Sequence, residues 1–159
     1  MEDELKPRLR ALILGEVLTL TPWDQRRLAT WAAKTAMTAE MLHPKSAAVT
    51  FSEREYLRLH REPPKEFNVW AGHYDGSQYT TNLHHHSSHI SIGTPASPKA
   101  AVTPNTQATI INLGRLFLQI SSSSFHGLQM NLKDEATRAI SDHSQLTIEA
   151  TDPIDGSGH

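Results

Sequence analysis

The spacing of apolar residues changes at Pro63-Pro64. This change restricts the possible folds of the chain more than any other sequence feature. Before the proline pair, apolar residues recur every three to four positions, which is typical of helices with one buried face. After it, apolar and polar residues alternate, as they do in β-strands. Helices that precede strands, rather than alternating with them, predict an α+β fold in which about three N-terminal helices pack on a small, mainly antiparallel sheet.

The longest predicted helix runs from Thr21 to His43. Thr21 is a good N-cap, Pro22 fits the first turn, and His43 is disfavoured as a helical residue because Pro44 follows it. Glu40, like Arg26, Arg27 and Lys34, lies largely outside this helix's predicted buried face. The predicted buried face consists of Leu28, Trp31 or Ala32, Thr35, Ala39 and Leu42.

Two shorter helices are predicted on either side of this one. The first covers Glu4–Leu14 and ends at Gly15, a natural helix terminator. The second covers Thr50–Glu62, with Ser52 and Glu55 at capping-box spacing. Its inward-facing residues are expected to be Phe51, Tyr56 and Leu59.

The second half of the chain contains the predicted strands. Glu66–Tyr74 and Gln78–Gly93 are expected to form a hairpin around Asp75-Gly76, a strong turn signal. Thr106–Ser121 predicts one strand that is buried on both faces, in which Gly114 marks a bulge or a close backbone approach. The remaining expected elements are a polar turn at Ser121–Ser124, a short strand over Leu128–Leu132, a helical turn or two over Asp134–Ile140, and a last strand over Gln145–Ala150.

Size and composition predict one domain over residues 1–159, with a helical part over 1–62 and a β-rich part over 66–150. A net charge of −2 argues against a chain-wide electrostatic grip on nucleic acid. The absence of cysteine excludes disulfides and thiolate zinc sites. The acidic N-terminus does not resemble a signal peptide, and no apolar run reaches the ~20 residues that span a bilayer. We therefore expect a cytoplasmic protein that makes no membrane contact.

Aromatic residues around the expected hairpin are candidates for ligand binding. Trp70, His73, Tyr74 and Tyr79 can form a stacking platform for a base or small ring, although packing of the strand on a helix is the stronger expectation for Trp70. Arg115 lies in an apolar run, so its charge must be paired or must bind an anion unless it lies at a sheet edge. The first partners to consider for Arg115 are Glu40 and Asp24, and an anionic ligand comes second.

A run of histidines is the most conspicuous chemical feature. On a strand, His84 and His86 share one side and can share a metal ion, whereas His85 and His89 point to the other side. Catalytic zinc, or a similar ion, needs a third ligand, for which the candidates are His73, Asp75 and His126. The alternative is an exposed strand edge that is rich in histidine. Neither a Gly-rich phosphate loop nor a Gly-x-Ser-x-Gly elbow is present, and Ser121–Ser124 beside His126 is better explained as a polar turn than as a hydrolase site.

The sequence resembles the region that follows the nuclease motif in bacterial HNH endonuclease-like proteins. The most specific part is Asp24-Gln25 followed by Leu28–Met37, LATWAAKTAM. The same order continues in Leu5-Lys6-Pro7, Leu12–Glu16, Leu20, Phe51, Glu53-Arg54, Pro63-Pro64, Val69-Trp70, Tyr74-Asp75-Gly76 and Ile110–Gln119, with Gly114–Gln119 as its core. In those proteins the nuclease is an N-terminal unit with paired CxxC zinc ligands and catalytic histidines. This chain contains no cysteine, so the family's catalytic residues have no counterpart in it.

The resemblance implies a stand-alone accessory domain without catalytic activity, which binds a nucleic acid, a nucleotide-like ligand or a partner protein. A second hypothesis is a metal-dependent hydrolase or nuclease that uses the His84–His89 cluster with zinc or another divalent metal. A third is a self-association module that forms a homo-oligomer. A contiguous apolar patch would favour self-association, and a convergent polar pocket would favour a small ligand.

Overall fold

The computed structural model describes residues 2–76, 80–91, 103–125, 137–139 and 146–148. Three α-helices come first, followed by most of the strands, so the predicted α+β fold with N-terminal helices is confirmed. The helices are α1 (Glu2–Leu14), α2 (Pro22–Glu40) and α3 (Phe51–His60), with a 3₁₀ turn at Pro44–Ser46. The strands are β1 (Leu18–Leu20), β2 (Phe67–His73), β3 (Thr80–Ser88), β4 (Thr106–Gly114), β5 (Leu116–Ser123), β6 (Thr137–Ala139) and β7 (Leu146–Ile148).

The main sheet has the strand order β3-β4-β5-β2-β6, and all its neighbours are antiparallel. β2 pairs with β5, with Val69 opposite Ile120, and two strands separate it from β3. The expected hairpin between β2 and β3 is therefore wrong. β2 is buried along almost its whole length, so it lies at an interior position of the sheet rather than beside the exposed strand β3. β1 and β7 form a separate two-stranded pair.

The apolar run that begins at Thr106 forms two strands, β4 and β5, instead of the single strand expected over Thr106–Ser121. Leu113 lies opposite Leu116, so Gly114 and Arg115 form a two-residue turn. Gly114 has φ 60°, a value that suits the first central position of a type II′ hairpin turn and that residues with a side chain rarely adopt. Gly114 therefore reverses the chain direction instead of marking a bulge.

The C-terminal predictions have mixed outcomes. β5 continues through Ser123, and Ser121 is fully buried, so the polar turn expected at Ser121–Ser124 is wrong for most of its length. β6 pairs with β2 through Arg138 and Ala71, within the segment where a helical turn was expected. The expected final strand is confirmed by β7. The strand predicted over Leu128–Leu132 lies outside the described residues.

α1 and α2 pack on one face of the main sheet, and α3 packs on α2. α2 contributes a stripe of leucine and alanine to this contact, and the small alanines let the helix backbone approach the sheet closely. Among the described residues, no helix is both long and apolar enough to span a membrane. The core consists of Leu5, Leu12, Leu20, Leu28, Ala29, Ala32, Ala33, Ala36, Met37, Val49, Phe67, Val69, Ala71, Ile111, Leu116, Leu118 and Ile120.

α2 begins where the sequence predicts, but the burial of residues near its C-terminal end differs from the prediction. Thr21 caps the helix in a capping box with Asp24. The helix ends at Glu40, so Leu42 lies beyond it and is 75% exposed, contrary to the expectation that it is buried. Glu40, which lies outside the predicted buried stripe of the helix, is nevertheless fully buried. Its carboxylate accepts hydrogen bonds from the backbone of the loop that follows, which accounts for its position inside the protein.

α3 begins one residue later than predicted and uses a different cap. Thr50 and Glu53 form its capping box, in place of Ser52 and Glu55. Phe51, Tyr56 and Leu59 are exposed, contrary to the sequence prediction. Because the helix is capped from Thr50, its inward positions are Glu53, which is buried, and Leu57, which packs partly on the core.

Candidate functional site

Among the described strands, β3 lies at the edge of the main sheet and pairs on one side only, with β4. It is nine residues long. The register with β4 places Leu83 opposite the core residue Ile111, so Leu83 and His85 lie on the face that carries the helices. His84 and His86 lie on the opposite face and are exposed. Along its other side, β3 pairs with no described strand, and its two faces carry different side chains.

An open groove runs between this edge strand and α2. Its volume is about 610 Å³. Leu83 forms its strand side and is 41% exposed, whereas Leu42 forms part of its helix side. The groove is lined by Trp31, Lys34, Thr35, Thr38, Ala39, Leu42 and Leu83. Exposed leucines on both sides of a groove form an apolar surface of the kind that binds other molecules.

A hydrogen-bonded chain of side chains orients His85 on the helix face of β3. Nδ1 of His85 lies 2.8 Å from Oγ1 of Thr109, and Thr109 donates its own proton to Oε1 of Gln107 at 2.8 Å. With Thr109 as donor to Gln107, Nδ1 of His85 donates to Oγ1 of Thr109, and in the neutral ring Nε2 is then the unprotonated nitrogen. Nε2 of His85 and Nε2 of Gln107 are both buried, and neither has a hydrogen-bond partner among the described residues. The sequence predictions do not include these hydrogen bonds, although Gln107 and Thr109 are polar residues that alternate in a largely apolar strand.

Burial, the largest cause, lowers the pKa of His85 below its ordinary value of 6.5. The charges of His86 and His43 lower it further, whereas the carboxylate of Glu40 acts in the opposite direction. A depressed pKa favours the neutral imidazole near pH 7.

Two sets of contacts hold the end of the groove in place. Glu40 accepts hydrogen bonds from the backbone N–H groups of Ala48, at 2.6 Å, and Val49, and its carboxylate also pairs with Arg54. The hydroxyl of Ser87 on β3 donates to the carbonyl of Ser46. The loop that follows α2 is thereby joined to the edge strand, so the two sides of the groove are fixed relative to each other.

Three of the residues predicted to bind a ligand meet at one end of the sheet. Nη1 of Arg115 donates to the carbonyls of Tyr74, at 3.2 Å, and Gly76, at 2.7 Å. The backbone N–H of Arg115 donates to the carbonyl of Ile13 at the end of α1. Burial and, to a lesser extent, the charge of Arg115 lower the pKa of His73. In these contacts Arg115 stabilises the corner where α1, β2 and the β4–β5 turn meet.

Arg115 is a turn residue, so its predicted place within a central strand is wrong. The acidic residues considered as its partners are engaged by other arginines. Glu40 pairs with Arg54, and Asp24 pairs with Arg8 at 3.0 Å. The anionic-ligand alternative for Arg115 stays a prediction.

The other candidate residues are separated from this corner. Trp70 is 6% exposed and, by the alternation of β2, lies on the face opposite to His73. Tyr79 and His126 lie outside the described residues. Within the described ranges, no group of three or more histidine, aspartate or glutamate residues is placed to hold a metal ion. Neither His73 nor Asp75 therefore completes a three-ligand site with His84 and His86.

Comparisons with known proteins identified no relative: no family model matches the sequence, and no match was found among curated proteins or solved structures.

Proposed function

We propose that this protein is a non-catalytic interaction domain that binds an extended segment of a partner protein along the free edge of β3. The observation that carries the proposal is a nine-residue edge strand beside an open apolar groove. Of the ligands considered from the sequence, namely a nucleic acid, a nucleotide-like molecule and a partner protein, this arrangement favours the partner protein.

An added strand would obtain its affinity and its specificity from different groups. Backbone hydrogen bonds along β3 would supply affinity for any extended polypeptide. Alternate side chains of the added strand would face the groove beside Leu83, where apolar residues are favoured. The intervening side chains would lie on the face that carries His84 and His86.

The strand β3 itself lacks the sequence features and bulges that discourage strand addition. Natural edge strands are protected by lysine and other charged residues, by proline or by bulges. β3, with the sequence TTNLHHHSS, contains no proline and no Asp, Glu, Lys or Arg, and its register with β4 is continuous over all nine residues. An edge of this kind is expected to be covered by a protein partner.

The hydrolase hypothesis has less support. A catalytic zinc site needs three protein ligands and an open position, and the described residues provide two exposed imidazoles on β3 without a third ligand. The kinship with the accessory region of HNH endonuclease-like proteins, and the nucleic-acid binding that it implies, stay predictions.

The proposal is tested by selecting displayed peptides that bind the untagged protein. The binding site of each selected peptide is then mapped from the chemical shifts of the protein's backbone amides. We expect perturbed amides along β3 and on the groove side of α2. Leu83→Glu places a charge in the groove and should weaken binding by about tenfold or more. Leu59→Glu is the matched control, because Leu59 is an exposed leucine on α3 outside the groove.

Circular dichroism spectra that match the wild type would show that both variants fold. The proposal is refuted if no peptide is selected, if the selected peptides map to another surface, or if both substitutions weaken binding equally.

A further inference from the structure

We infer that the partner strand at this edge is β3 of a second copy of the chain, and that the pair creates a site for a divalent transition metal such as Zn²⁺. His84 and His86 of both chains would be its ligands. The inference rests on the proposed function, since it names the protein that adds to the edge.

One chain supplies half of a metal site. His84 and His86 are exposed and lie two residues apart on the same face of β3. This spacing separates their Cα atoms by about 6.6–6.8 Å, within the span of two imidazoles that converge on one ion. Imidazole suits Zn²⁺, Cu²⁺ and Ni²⁺, and zinc commonly takes four ligands in tetrahedral geometry. Two further ligands must therefore come from elsewhere, and among the described residues of the same chain none is in place.

A two-fold symmetric pair of chains would supply the two further ligands. If β3 pairs antiparallel with its own copy about an axis through His85, His84 of each chain lies opposite His86 of the other. Residues directly opposite in an antiparallel pair project from the same face, with Cβ atoms about 4.5–5.5 Å apart. The four imidazoles would therefore form one cluster. Because β3 contains no Asp, Glu, Lys or Arg, no permanent charge repels one copy of the strand from the other.

The groove supports the same arrangement. An axis perpendicular to the sheet places the helices of both copies on one side, so the two grooves beside β3 would face each other. Leu83 and Leu42, which are 41% and 75% exposed, would then move towards apolar surface of the second copy. Removal of this apolar surface from water would stabilise the dimer through contacts on the face of the sheet opposite to the metal site.

The test uses untagged protein purified without metal-affinity chromatography and stripped with a chelator. Metal content is measured by mass spectrometry of the elements, and association by sedimentation velocity, with Zn²⁺ as the probe. We expect a zinc-dependent dimer that contains one Zn²⁺ per two chains, and slower hydrogen exchange of β3 amides after zinc is added. The double substitution His84→Gln/His86→Gln should abolish the zinc dependence. The matched control is His60→Gln, since His60 is exposed on α3 away from the edge.

Three results would overturn the inference: no zinc binding, one zinc per chain without a dimer, or a zinc-dependent dimer that survives the double substitution. Failure of this inference can be distinguished from failure of the proposed function. If peptides still bind at β3 and are weakened by Leu83→Glu while zinc causes no dimer, only the inference about a second copy fails. If peptides leave the chemical shifts of the β3 amides unchanged and zinc leaves their hydrogen exchange unchanged, the edge is not a binding surface. The proposed function and the inference about a second copy then both fail.

Discussion

Replacement of Glu40 by glutamine tests whether a buried carboxylate organises the end of α2. The side chain of Glu40 is fully buried, whereas that of its partner Arg54 is 23% exposed. Besides this ion pair, the carboxylate accepts the N–H groups of Ala48 at 2.6 Å and Val49 at 3.2 Å. Glutamine has nearly the same shape but only one acceptor oxygen. At least one of these donors would then face the amide NH₂ group, and the positive charge of Arg54 would lose its counter-charge.

The expected cost follows from these contacts. Removal of one partner of a buried ion pair typically destabilises a protein by about 3–5 kcal/mol. Because Arg54 reaches solvent and can recover part of its hydration, the lower end, about 3 kcal/mol, is expected for Glu40→Gln. That loss is a large share of a typical stability of ~5–15 kcal/mol. With an m-value of about 2 kcal/mol/M, the midpoint of urea unfolding should fall by roughly 1.5 M.

Urea unfolding followed by circular dichroism measures this change. The matched control is Glu55→Gln, because Glu55 pairs with Arg58 at 2.9 Å on the exposed side of α3. Surface pairs contribute little, so its midpoint should match the wild type. A loss below about 1 kcal/mol for Glu40→Gln, within the range of an exposed pair, would refute the view that this carboxylate holds the loop after α2.

Three further predictions concern backbone conformation and pH. Gly114→Ala should destabilise the protein by about 1–2 kcal/mol in urea unfolding, because Gly114 has φ 60° in the β4–β5 turn. Gly114→Asn should cost less, and equal losses for the two variants would contradict this reasoning. Arg61→Gly should raise the midpoint, because Arg61 has φ 56° at the end of α3, whereas Arg58→Gly within the helix should lower it; a lower midpoint for both would refute the argument. Burial, then the charge of Arg115, lowers the pKa of His73 below 6.5, so below that pH the unfolded chain binds more protons and stability falls as pH falls. His73→Gln should therefore lose less stability than the wild type between pH 7 and pH 5, and parallel pH profiles would show that His73 makes no such contribution.

The elements that the sequence predicts well are those with local determinants. Thr21 and Pro22 mark the start of α2 through contacts within a single turn. The alternation in Phe67–His73 marks a strand wherever that strand lies in the sheet. The change of spacing at Pro63-Pro64 is sufficient to predict helices before strands. Each of these signals depends on residues only a few positions apart, so a single sequence contains it.

The candidate site depends on contacts between residues that are distant in the chain. His84 and His86 can be placed on one face of a strand from their spacing, but the exposure of that strand at an edge follows from the pairing of β2 with β5. Likewise, Glu40 is polar in the sequence, and its burial depends on backbone N–H groups that the loop after α2 brings to it. Strand order and burial depend on which of several similar apolar surfaces pack together. That choice depends on the free energy of the whole chain, and so only the tertiary structure decides it.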